Sequence, residues 1–95
     1  MARYVTLIRL TEQGTKNLSE SPARAKAFRD AAERSGVKVE AQLWTAGAYD
    51  GILILNAADA NKALHCLAEL TAQGNARTET MQAFEAGEFS AITAK

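Results

Sequence analysis

The chain has 95 residues, 47% of them hydrophobic and 23% charged, with six Gly, one Pro and one Cys. That usage fits one globular domain and excludes a disordered or collagen-like chain. Eleven Lys and Arg balance eleven Asp and Glu, which removes the electrostatic attraction that dominates nucleic-acid and anionic-membrane binding, so neither is an expected partner.

Residues 3–10 are rich in β-branched and aromatic types and predict a first strand. Thr11-Glu12-Gln13-Gly14 ends it: Thr11 caps a short helical turn over 12–18, and Gly14 can take a backbone angle closed to other residues. Ser21-Pro22 predicts a helix start, with Ser21 as N-cap and Pro22 at the first helical position, where its missing N–H costs nothing. This helix runs to about Ser35, with Ala27, Phe28, Ala31 and Ala32 as its apolar side and Gly36 as its C-terminal cap.

Residues 37–44 alternate. Val37, Val39, Ala41 and Leu43 point one way and Lys38, Glu40, Gln42 and Trp44 the other, the pattern of a half-buried edge strand. After the loop Thr45-Ala46-Gly47-Ala48, residues 49–55 form a strand that is apolar on both faces, the mark of a central position. Asp59 is the expected N-cap of a second long helix over 60–73, whose buried stripe is Ala60, Ala63, Leu64, Leu67, Ala68 and Thr71. Gly74-Asn75 ends it. The last strand, 76–84, shows Arg77, Glu79, Met81 and Ala83 on one face and Thr78, Thr80, Gln82 and Phe84 on the other; a short tail helix over 86–93 has Phe89 and Ile92 as its apolar side.

The order β-α-β-β-α-β plus a tail helix gives an α+β fold, a ferredoxin-like antiparallel sheet with its helices on one face. Helices cover only one set of side chains on the strand at 51–55. Burying the two or three other Ile and Leu side chains is worth about 1.5–3 kcal/mol each. A second copy of the same sheet is the economical cover. The chain is therefore predicted to form a homodimer or higher homo-oligomer through the open sheet face, with a small pocket between sheet and tail helix.

Several polar residues admit two readings. Tyr49 and Asp50 follow the loop glycine: they either set a phenol and a carboxylate at a pocket mouth, or pack over the sheet end and accept backbone N–H bonds. Arg77 and Glu79 share one strand face and either meet an anionic ligand or form a cross-strand ion pair that fixes register; Arg9 can join either arrangement. Trp44 ends the polar face of its strand and either stacks on a ligand ring or sits in an interface. His65, the only histidine, is read as a solvated helix residue, and Cys66 as bordering the outer side of the same helix with nothing to activate it. One Cys and one His build neither an internal disulfide nor a metal cluster, so no metal or cofactor is expected. Scarce thiols favour a reducing cytoplasm. Thr6 and Arg9 interrupt any signal segment, and the longest aliphatic run, Ile52 to Leu55, falls far short of the ~20 residues that span a bilayer.

The chain resembles the GYD-domain family, small bacterial and archaeal proteins of the dimeric α+β barrel type, over nearly its whole length. The resemblance is carried by Tyr4 to Leu10, Thr11-Glu12-Gln13-Gly14 with Lys16-Asn17, Ser21-Pro22, Gly47-Ala48-Tyr49-Asp50, and Gly74-Asn75-Ala76-Arg77-Thr78-Glu79-Thr80 with Ala83-Phe84. It implies the ferredoxin-like fold and the dimer and assigns no activity. Related barrels include monooxygenases, isomerases and regulatory modules, a likeness of fold alone.

No set of residues presents a nucleophile with its base, so the first expectation is a small-molecule-binding or sensing module. A cofactor-independent enzyme would use Asp50 or Glu79 as base and Arg77 as anion holder, with Tyr49 beside them. A purely structural assembly protein is the third expectation.

Overall fold

In the computed structural model, which describes residues 1–95, the chain runs β1 (Ala2–Leu10), α1 (Glu12–Lys16), α2 (Ser21–Arg34), β2 (Lys38–Trp44), β3 (Gly51–Ala57), α3 (Ala60–Ala72), β4 (Ala76–Ala83) and α4 (Ala86–Thr93). A 3-10 turn over Leu18–Glu20 joins α1 to α2. The strands form one sheet in the order β2-β3-β1-β4, every pair antiparallel. This is the ferredoxin-like topology, with the aliphatic β3 central and β2 at an edge as its composition demands.

Alternation along the two central strands sorts their side chains between two unlike faces. On one face Tyr4 lies opposite Leu55 and Thr6 opposite Leu53, and these four pack with Val39, Ala57, Ala32, Ala63, Cys66 and Leu67 into the core beneath α2 and α3. Thr6 is wholly buried, and its hydroxyl is satisfied 2.9 Å from that of Thr80, its cross-strand partner. On the other face Val5 lies opposite Ile54 and Leu7 opposite Ile52, with Leu43 on β2 and Met81 on β4 continuing the apolar band outward. No helix covers that band: Leu43 is 56% and Met81 49% exposed.

Local expectations fail where one residue changes the parity. A bulge between Val39 and Ala41 inserts Glu40 as an extra residue in β2. Val39 faces the core, but beyond the bulge Ala41 and Leu43 lie opposite Ile54 and Ile52 on the open face, while Gln42 and Trp44 turn to the helices. The expected alternation from Val37 to Leu43 therefore breaks at its middle. In α3 the buried side is Ala63, Cys66 and Leu67, with Leu70 half-buried and Leu64 65% exposed, so the stripe is rotated from the expected one and Cys66 belongs to the core, not the outer side.

Asp59 caps α3, accepting from the Lys62 amide at 2.9 Å, and Gly36 takes φ +84 after α2, a left-handed C-terminal cap. Ser21 is not the cap of α2. The 3-10 turn runs straight into the helix, Glu20 holds the cap position without a side-chain bond, and Pro22 sits in the first turn. Gly14 has no positive φ; it is needed because a Cβ there would overlap the carbonyl oxygen of Asn75. The tail helix α4 forms as expected but buries no residue: Phe89 is 60% and Ile92 62% exposed. The molecule is a thin slab of 51 × 31 × 17 Å, and no helix in it is long and apolar enough to cross a membrane.

Candidate functional site

The loop from β2 to β3 is built by its own bonds. Thr45 donates its amide to the Asp50 carbonyl at 3.0 Å and its hydroxyl to the Tyr49 carbonyl at 2.6 Å, which closes the turn. Asp50 then extends the β1–β3 ladder past its last residue pair. Its amide donates to the Ile8 carbonyl at 2.8 Å, and its carboxylate accepts the Leu10 amide at 2.8 Å. The carboxylate thus supplies an acceptor that the sheet edge lacks.

The closed turn sets Tyr49 across the end of the open face. Its phenol donates to the Glu79 carboxylate at 2.9 Å, and the Arg9 guanidinium lies 4.7 Å from its ring centroid, a cation–π contact. Arg9 is the register partner of Arg77 across β1 and β4. Neither arginine makes an ion pair or a side-chain hydrogen bond within the chain. The structure therefore gathers Arg9, Tyr49, Arg77 and Glu79 at one end of the sheet. The ion pair foreseen for Arg77 and Glu79 is absent, because Glu79 takes the phenol instead.

Trp44 lies apart, on the helix side, where the bulge has turned it. Its indole N–H donates to the Ser21 hydroxyl at 2.9 Å, and 54% of the residue is exposed. Beside it is a largely apolar cleft of about 80 Å³ between the start of α2, the end of α3 and the ends of β1, β2 and β3, lined by Ile8, Ala25, Phe28, Leu53 and Leu70 among others. Ligand pockets run to about 300–1,000 Å³, so this cleft admits at most a very small guest. Of the cleft residues, the sequence singled out Trp44 and Asp50 as candidate site residues and Phe28 as the large side chain among the alanines of α2.

The opposite end of the open face carries an ionic cluster that sequence reasoning missed. Arg3 Nε is 3.3 Å from a Glu40 oxygen, and its Nη1 donates to Glu85 at 2.8 Å. The Glu85 hydrogen bond and the Glu40 carboxylate hold the Arg3 guanidinium above the usual arginine range. Glu85 also forms a capping box with Glu88 at the start of α4. Alternation from core-facing Val39 already sets Glu40 on this face; its partners Arg3 and Glu85 come from the two ends of the chain, which is why the sequence did not show the cluster.

His65 stands on the outer surface of α3, 3.0 Å from Glu69. Burial pushes the Cys66 thiol up, and the Glu69 charge adds to the effect, so Cys66 is held as a neutral thiol. No three or more His, Cys, Asp or Glu side chains stand together as a metal site would require.

The sequence profile of the GYD domain matches residues 4–93. This chain belongs to the GYD-domain family. It is 32% identical over 84 residues to a Thermus thermophilus protein named glutamine synthetase and cystathionine beta-lyase binding protein, covering 87% of this chain and 88% of that one. Two solved structures share the fold. One, TTHA0845 from Thermus thermophilus, has a TM-score of 0.57 at 24% identity, over 90% of this chain and 96% of that one. The other, a glycine-to-threonine mutant of Rv3291c, has a TM-score of 0.68 at 16% identity over 90% of this chain. The GYD chain spans about half of it, 52% of its length.

Proposed function

We propose that this chain is a non-catalytic binding module of the cytoplasm that pairs with a second copy through the open face of its sheet and acts by contacting other proteins. The observation that carries the reading is the apolar band of Val5, Leu7, Ile52, Ile54, Leu43 and Met81, which no helix of the chain covers. Completing the burial of such side chains yields up to about 1.5–3 kcal/mol each. Arg9, Tyr49, Arg77 and Glu79 form the polar rim of that face at one end, in keeping with an interface whose centre is apolar and whose edge is charged.

The relative's name supplies the partner class: glutamine synthetase and cystathionine beta-lyase are the first proteins to test against this chain. A small-molecule role has less support, since the apolar cleft holds only about 80 Å³ and the roomier hollow of about 340 Å³ beside Asp59, Lys62 and His65 is polar-lined and open to solvent. An enzymatic role has less support: no nucleophile stands against a base, and Glu79 and Asp50 are already engaged with the Tyr49 phenol and the Leu10 amide. The test is sedimentation velocity of the purified chain with each of the two enzymes from its own source. A stoichiometric complex with either supports the reading. Independent sedimentation with both, at concentrations well above micromolar, sinks the proposed partners.

A further inference from the structure

We infer that the cleft between the start of α2 and the end of β2 binds a small, neutral, hydroxyl-bearing molecule with an apolar body, of about the size of phenol. The cleft lies on the helix side of the sheet. The inference goes beyond the proposed role and does not depend on what covers the open face.

One wall of the cleft is built by two side-chain bonds. Past the bulge, Gln42 and Trp44 both turn to the helices. Gln42 Nε2 donates to the Ala25 carbonyl at 2.8 Å, and the Trp44 indole N–H donates to the Ser21 hydroxyl at 2.9 Å. Alternate residues of a strand thus meet successive turns of a helix, and the two bonds hold β2 and α2 together like rungs. Ala25 carries only a methyl group, which leaves the space beside the rungs open. Ile8, Phe28, Leu53 and Leu70 line the rest, and all but Leu53 are only half-buried. An apolar guest completes their burial.

The same rungs fix what this wall can bond. With its NH2 on the Ala25 carbonyl, half-buried Gln42 keeps Oε1, which accepts from no group of the chain. Half-buried Ser21 accepts the indole N–H, and its own proton goes to no group. A hydroxyl donates and accepts through a single atom, so it satisfies either one. The charged groups on the lining are one of each sign and both engaged. Arg24 gives its guanidinium to the Asn17 and Gly14 carbonyls, and Asp50 takes the Leu10 amide, so the lining selects a neutral guest. Size sets the other limit. At about 10–15 Å³ for each water-sized group, the cleft of about 80 Å³ holds about five to eight of them. That excludes a nucleotide or a haem and fits a short-chain alcohol or one phenol ring. Water against so apolar a lining finds few partners, and its displacement favours the guest.

Phenol is the probe, and toluene, of the same shape without the hydroxyl, is its control. Trp44 is the only tryptophan, so its indole N–H gives a single peak in a nitrogen–proton correlation spectrum. Phenol should move the Trp44 indole and Gln42 side-chain amide peaks saturably, with a half-point in the millimolar range expected of so small a ligand. Toluene should bind about two- to tenfold more weakly, the worth of one hydrogen bond. Gln42→Met should erase that preference. Ala25→Leu, which fills the cleft, should weaken phenol about tenfold or more. If either variant fails to fold, the wild-type ratio of phenol to toluene decides the chemical class and the set of moved peaks decides the place. No saturable shift of the Trp44 indole with phenol up to tens of millimolar overturns the site. Unchanged phenol binding by folded Ala25→Leu puts the probe elsewhere and overturns it too. Equal binding of toluene to the wild-type chain overturns the hydroxyl class.

Discussion

Tyr49 and Glu79 are joined by a 2.9 Å hydrogen bond across thirty residues of sequence, and that bond decides what the arginines beside it can do. With its carboxylate turned to the phenol, Glu79 leaves Arg77 unpaired, and the ring of Tyr49 holds Arg9 in place from below. Tyr49→Phe keeps the ring under Arg9 and removes the hydroxyl. The bond is exposed, so stability should fall by less than about 1 kcal/mol in urea denaturation. A loss above about 2 kcal/mol would show that the bond carries more of the loop than its exposure allows.

Asp50 has a structural task that its neighbour lacks. Asp50→Ala removes the acceptor of the Leu10 amide and should cost about 1–2 kcal/mol by chemical denaturation, whereas Asp50→Asn, which keeps an oxygen, should cost less. Hydrogen exchange at the Leu10 amide should quicken in the alanine variant. Equal losses in both variants would mean that charge, not the acceptor, matters there.

Much of the fold was readable from the sequence, and the failures have particular causes. Strand and helix order, the Asp59 cap and the aliphatic centre of β3 follow from composition and period, which act locally. The faces of β2 did not, because one inserted residue, Glu40, reverses every side chain after it and leaves no mark in the hydrophobic pattern. On α3, Leu64 is the larger apolar side chain, yet the helix docks with the Cys66 thiol inward, beside Ala63 and Leu67. The Arg3–Glu85 pair joins the two ends of the chain, a contact that only the closed sheet defines. At the candidate site, Arg9, Tyr49, Arg77 and Glu79 were singled out by residue type and spacing; that Tyr49 organises the other three was not.

Cys66 should behave as a core residue. In the native state a water-soluble disulfide reagent should modify it orders of magnitude more slowly than in denaturant, as its 4% exposure implies. Its raised folded pKa also sets the sign of a pH effect. Below the thiol's ordinary range, about 8.5, both states are protonated and stability is unaffected. As pH rises beyond it the unfolded state ionises first, so stability declines towards the folded pKa. Cys66→Ala should flatten that alkaline decline in thermal melts.

Gly14→Ala should be among the most damaging single substitutions outside the core. Its new methyl group would meet the Asn75 carbonyl, which is backbone and tied by a 3.0 Å bond from the Thr11 amide. A loss of about 1–3 kcal/mol is expected, measured as a lowered urea midpoint. A neutral result would show that the loop after α3 can yield.

The uncovered apolar band is the feature on which the proposed role stands or falls. Sedimentation equilibrium of the untagged wild-type chain at low micromolar concentration should return twice the 10.2 kDa protomer mass. A monodisperse species of 10.2 kDa, stable and soluble across the concentration series, would refute it.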